Sequence, residues 1–176
     1  MAILTEMSVL TNYSTPNDTD WWTIDQTQRI AQSFQINAET IVNLATVRIR
    51  GNASNTRDLR VRIETNSGGA PSGTLAGGNL TALISVITSA SFDTRTASFG
   101  DGNILQPATI YWLVIKCEIE DGTQVNNWSA DGAGSYANGN VSSANTVPTW
   151  TDRPLYDNWF TIEGPGLSSG LQNKIW

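Results

Sequence analysis

The segment from Leu105 to Glu120 constrains the fold of this chain more than any other. A turn containing Pro107 runs into Tyr111-Trp112-Leu113-Val114-Ile115-Lys116-Cys117-Glu118-Ile119-Glu120. Side chains alternate faces along a strand, so Tyr111, Leu113, Ile115, Cys117 and Ile119 are expected to point inward, and Trp112, Val114, Lys116, Glu118 and Glu120 outward. Two more aromatic segments follow at loop-sized spacings, Asn127-Trp128 and Asp157 to Gly164. Short alternating runs separated by turns spell an all-β, antiparallel β-sandwich. At 176 residues the chain fits a single domain with one core.

Upstream, Val47-Arg48-Ile49-Arg50 and Leu59-Arg60-Val61-Arg62-Ile63 repeat the alternation on either side of the polar stretch Gly51 to Asp58. This spacing predicts a hairpin whose outer face carries half of the chain's eight arginines. Glu64, Glu118 and Glu120 are candidates to neutralise that face, and an acidic neighbour is the other. Asn66 to Gly73 is a turn cluster; its glycines lack the helix start and lysine that a phosphate cradle needs. Leu80 to Ser91 fits both periods, with β-branched residues favouring strand.

The ends read differently from the middle. Residues 1–25 are expected to form an N-terminal arm, because Asn12, Ser14, Thr15, Pro16, Asn17 and Asp18 are turn formers without apolar periodicity. Residues 26–164 form the sandwich, and residues 165–176 a C-terminal tail. Trp21 and Trp22 interrupt the polar arm, and Ile175 and Trp176 end the polar tail. These four are the candidate partner-binding residues, since exposed aromatic pairs anchor interfaces. For Trp21 and Trp22 the alternative is that they cover an open end of the sandwich.

Several kinds of chemistry are disfavoured. With no histidine, the usual neutral-pH base and the commonest metal ligand are missing. Glu118 and Glu120 share one strand face at i and i+2 and cannot flank a glycosidic bond; Asp131, Asp152 and Asp157 are the carboxylates that could converge. Asp101-Gly102-Asn103 and Asp131-Gly132 do not match a calcium-loop spacing. No catalytic residue, metal ligand or cofactor is therefore assigned. Cys117, the single cysteine, is expected to be a small buried hydrophobe. A net charge of −6 disfavours nucleic acid. No stretch reaches the ~18 apolar residues of a membrane span, and Met1 to Glu6 lacks a secretion signal, so synthesis in a cytoplasm is expected. A carbohydrate platform is the remaining binding chemistry, with Trp128, Tyr136 and Trp150 as its candidate residues and Trp159 nearby; the alternative is that the strand tryptophans are core or edge residues.

Taken in order, Ala31 to Phe34, Pro71 to Ala76, Leu105 to Val114, Trp128, Tyr136 to Gly139, Trp150 and Asp157 to Gly164 resemble the jelly-roll-like sandwich domains of bacteriophage virion proteins and bacterial surface proteins. The resemblance covers about residues 30 to 164. It implies a non-enzymatic structural or adhesive module, often trimeric, that decorates a capsid or sits on a tail or fibre. The expectations that follow are a capsid decoration (cement) subunit located in the virion, a homotrimer, and other virion subunits such as the major capsid protein as partners. A carbohydrate-binding receptor module of a tail fibre or surface protein is the alternative, with a glycan as its ligand.

Overall fold

The computed structural model describes residues 7–14, 18, 20–119, 124–137, 139–145 and 149–165. Among these the regular elements are all strands: β1 (Met7–Tyr13), β2 (Asp20–Asp25), β3 (Arg29–Phe34), β4 (Thr40–Ile41), β5 (Leu44–Arg50), β6 (Leu59–Ser67), β7 (Ala70–Leu75) and β8 (Thr81–Ile84) in the first half. The second half adds β9 (Asp93–Ser98), β10 (Ile104–Leu105), β11 (Tyr111–Cys117), β12 (Val125–Asp131), β13 (Val141–Ala144), β14 (Trp150–Arg153), β15 (Asp157–Asn158) and β16 (Phe160–Pro165).

They form two large antiparallel sheets. The first runs β1-β16-β5-β12-β15, with β9 also on β5 and β2 also on β12. The second runs β14-β13-β3-β11-β6-β7, with β8 also on β6. A short β10-β4 ribbon pairs with neither sheet and packs against β16 of the first, where Gly164 abuts the Ile41 carbonyl. The protein is thus a single all-β sandwich, as its alternation requires.

The core is what the alternation promises. Ala45, Val47 and Ile49 of β5, Leu59, Val61 and Ile63 of β6, and Leu113 and Ile115 of β11 are all fully buried, as are Phe160 and Ile162 of β16. Phe34 of the second sheet meets Phe160 of the first with ring centroids 6.0 Å apart, joining the two layers. Cys117 is buried, as expected. Burying one such large apolar side chain contributes about 1.5–3 kcal/mol, so this shared interior is what holds the layers face to face.

Four differences from the sequence reading have physical causes. First, β5 and β6 are not a hairpin: β5 belongs to the first sheet and β6 to the second. Alternation shows which side of a strand faces the core; both sheets face the same core, so it does not show which sheet a strand joins. The connecting residues are tied down by Asn55, whose side-chain amide donates to the Ile87 carbonyl at 2.9 Å and lies 3.0 Å from the Val125 carbonyl. The arginines are consequently split between two outer faces. Arg48 pairs with Asp18, and Arg60 with Glu118, while Arg62 lies 3.1 Å from Glu64.

Second, the expected arm contributes two strands. β1 pairs with β16 and β2 with β12. An edge strand needs backbone hydrogen bonds and only a few apolar contacts, here Tyr13, Ile24 and the half-buried Leu10 and Trp22, so its polar text masked it. Third, Trp112 and Val114 do point outward, yet they are 3% and 2% exposed. They form a second, smaller cluster with Ala31, against which Trp150 packs. Fourth, Ile119 is exposed rather than inward, because β11 ends at Cys117.

The glycine cluster is a tight connection, as expected. Gly68 and Gly69, at φ 61° and 86°, form the two-residue turn between the paired residues Ser67 and Ala70. Two consecutive positive φ values are what a hairpin turn matching strand twist demands, and glycine adopts them without a Cβ penalty.

Candidate functional site

The tryptophans expected to bind partners lie on different surfaces. Neighbouring residues of a strand face opposite ways, so on β2 Trp21 points out from the first sheet while Trp22 points toward the interior. Trp21 is 45% exposed. The Arg50 guanidinium sits 4.2 Å from its ring centroid and 4.6 Å from that of Phe92, clasped between two rings. Trp22 is half-buried at the sandwich margin, edge-on to Tyr156 at 5.1 Å, with the Arg153 guanidinium over its ring. It therefore covers an open side of its own subunit. Ile175 and Trp176 lie outside the described residues.

The three candidates for a carbohydrate platform are not brought together. Trp128 is fully buried, and its indole N–H donates to the Trp159 carbonyl at 2.7 Å. Tyr136 packs edge-on against Phe160 at 5.5 Å and lies 5.8 Å from Tyr13. Burial pushes its phenol pKa up. Trp128 is thus an interior group of the first sheet, and Tyr136, half-buried in the end loop, packs its ring against the same core. Only Trp150 stands on an outer face.

Two of the loop carboxylates do converge. Asp131 ends β12 and Asp157 begins β15, and the two are register partners. They are 7% and 1% exposed. Asp131 accepts hydrogen bonds from the Ala133 N–H at 2.9 Å, from the Ser135 hydroxyl at 3.0 Å and from the Tyr13 hydroxyl. Asp157 accepts from the Tyr136 N–H at 2.7 Å and from the Gln32 side chain. Burial, and to a smaller extent the neighbouring Asp131 charge, raise the Asp157 carboxyl above its ordinary range. Burial and the Asp131 hydrogen bond likewise raise the Tyr13 phenol. A general acid must reach a substrate, whereas these oxygens are taken up by internal donors. The cluster's evident role is to fasten β1, β12 and β15 to the loop that carries Tyr136. Asp152 stays exposed on β14.

A depression of about 520 Å³ is lined by Trp22, Gln28, Ser143 and Arg153. Another surface that opens to a ligand lies on the outside of the second sheet. Alternation sends Arg29 of β3, Arg62 and Glu64 of β6, Val114 and Lys116 of β11, and Trp150 of β14 to that side. They line a depression of about 450 Å³. Glu64 lies deep, 3% exposed, accepting from the Gly73 N–H at 2.8 Å. Arg62 spans from Glu64 to the Gly73 carbonyl, to which it donates at 2.9 Å. The sequence already placed Trp112, Val114 and Lys116 outward; the signal missed was that two large apolar residues on an outward face require a cover, which Trp150 provides.

Compared with known proteins, the chain matches no family model and no curated protein.

Proposed function

We propose that this protein is a non-enzymatic structural subunit of a bacteriophage particle, a decoration (cement) subunit that self-associates and binds neighbouring shell subunits. Two things support the reading: the order of motifs it shares with the jelly-roll-like virion sandwiches, and the surface of its N-terminal edge. That edge carries the argument. β1 is the terminal strand of the first sheet, so among the described strands its outer backbone edge pairs with none. Met7 and Val9 on it are 45% and 55% exposed. Val9 and Leu10 also wall an apolar depression of about 200 Å³ with Ile36 and Ala38. Met7 and Val9 stand together on one side of a register shift between Val9 and Thr11, and an edge segment with exposed apolar side chains is a template for pairing with another chain. A specific contact needs roughly 800 Å² from each partner, more than the edge alone, so Trp21 and the chain ends are expected to share in it.

Removing residues 1 to 22 would delete β1 and part of β2, so a cleaner test leaves the sheet intact. Light scattering on the full chain and on Val9→Lys should show a closed oligomer, expected to be a trimer, that the charge dissociates. Co-sedimentation of both proteins with phage particles should show the same loss. A full-length chain that stays monomeric, and binds particles no less well as Val9→Lys, overturns the reading.

A further inference from the structure

We infer that the depression on the outer face of the second sheet is a binding site for a saccharide bearing carboxylate groups. The inference is independent of particle assembly, since β1 and Trp21 belong to the other sheet.

Charge is the first observation. The chain as a whole carries −6, yet the depression gathers Arg29, Arg62 and Lys116 against one carboxylate, Glu64. Glu64 is answered from within by the Gly73 N–H and Arg62, and Lys116 acts on the neighbouring Glu118, yet the lining residues themselves still hold three cations against one carboxylate. A lining of net positive charge on the outside of an acidic protein attracts an anionic ligand, and concave low-dielectric walls focus that field.

The floor is the second observation. Trp150 is half-buried and rests on the cluster of Ala31, Trp112 and Val114. Trp112 is itself fixed by its indole N–H, which donates to Asn66 at 2.9 Å. An indole carried on a strand and held from below is preorganised, so a ring that stacks on it costs little ordering. Pyranose rings offer an apolar C–H face for such stacking and hydroxyls around it. Ser67, Asn145 and Thr149 on the lining of the depression supply neutral hydrogen-bonding partners. A volume of about 450 Å³ falls within the range of small-ligand sites. The combination of an aromatic floor, cationic walls and a hydroxyl-rich rim suits an acidic sugar better than an acidic peptide, which has no comparable face to lay on Trp150.

The test is isothermal titration of the full chain with oligogalacturonate and with sialyl-lactose, alongside lactose as a neutral sugar and a polyglutamate peptide as an acidic non-sugar. At least one acidic saccharide should bind saturably and weaken as salt rises, because an interaction with partly exposed cations is screened. Trp150→Ala and Lys116→Gln should each weaken it about tenfold or more. Trp150→Phe retains an aromatic floor and should keep most of the affinity, which separates lost stacking from lost folding. Trp21→Ala, on the opposite sheet, should bind like the parent. No saturable binding of either acidic saccharide, equal binding of lactose, or equal binding of the peptide overturns the inference.

Discussion

Asn55 holds the crossover from one sheet to the other, and removing its side chain should be among the costliest polar substitutions in the molecule. Its amide nitrogen lies 2.9 Å from the Ile87 carbonyl, 3.0 Å from the Val125 carbonyl and 3.0 Å from Asn126 Oδ1. Its oxygen accepts from the Val125 N–H at 3.0 Å. Two amide hydrogens serve three acceptors, so about three full hydrogen bonds are lost in Asn55→Ala, each worth about 1 kcal/mol net. The side chain is 5% exposed, so water reaches the orphaned groups poorly and the total should be about 3 kcal/mol. For a domain of this size that corresponds to a fall of about 6–12 °C in Tm. Urea unfolding should show the midpoint lowered with the slope unchanged, since the same surface is exposed on unfolding. Asn55→Asp keeps the shape but replaces the donor by a carboxylate facing three acceptor oxygens, and should fall at least as far at neutral pH. A loss below about 1 kcal/mol in both variants refutes the clamp, because it would mean that the crossover is held by its apolar contacts alone.

Two further outcomes follow from single contacts. In Gly139→Ala the new Cβ would lie 2.0 Å from the Ser33 carbonyl oxygen, at the place where Asn140 bonds back to Ser33. Backbone has to move there, so a loss of about 1–3 kcal/mol is expected, with faster amide exchange in β13, and an unchanged melting curve contradicts it. Asp157 has a carboxyl raised by burial and by Asp131, so its favourable contribution is complete below the ordinary carboxylate value and fades as pH climbs through its raised one. Denaturation midpoints of Asp157→Asn should therefore gain on the parent as pH rises above about 4, and a difference that does not change with pH rules this out.

Much of the fold was legible because period-two alternation is a local property. Tyr111 to Cys117 could be assigned residue by residue, and Val47, Ile49, Val61 and Ile63 all reached the interior as written. The candidate sites were less legible. Whether an aromatic side chain faces water depends on what lies above it, and Trp128, Tyr136 and Trp150 carry no local mark that tells core ring from surface ring. Asp131 and Asp157, 26 positions apart in number, meet only because β12 and β15 pair.

What the chain's order of residues determined unaided is that its middle folds as strands, which side of each alternating strand is apolar, and where tight connections such as Gly68-Gly69 fall, because each depends on neighbours within a few positions. What the tertiary structure decided is which strands share a sheet, that Asp20–Asp25 and Met7–Tyr13 join the first one, and that Trp150 roofs Trp112 beside three cations. These are choices among partners distant along the chain, set by the packing of a common core against which either sheet could have received any of its strands.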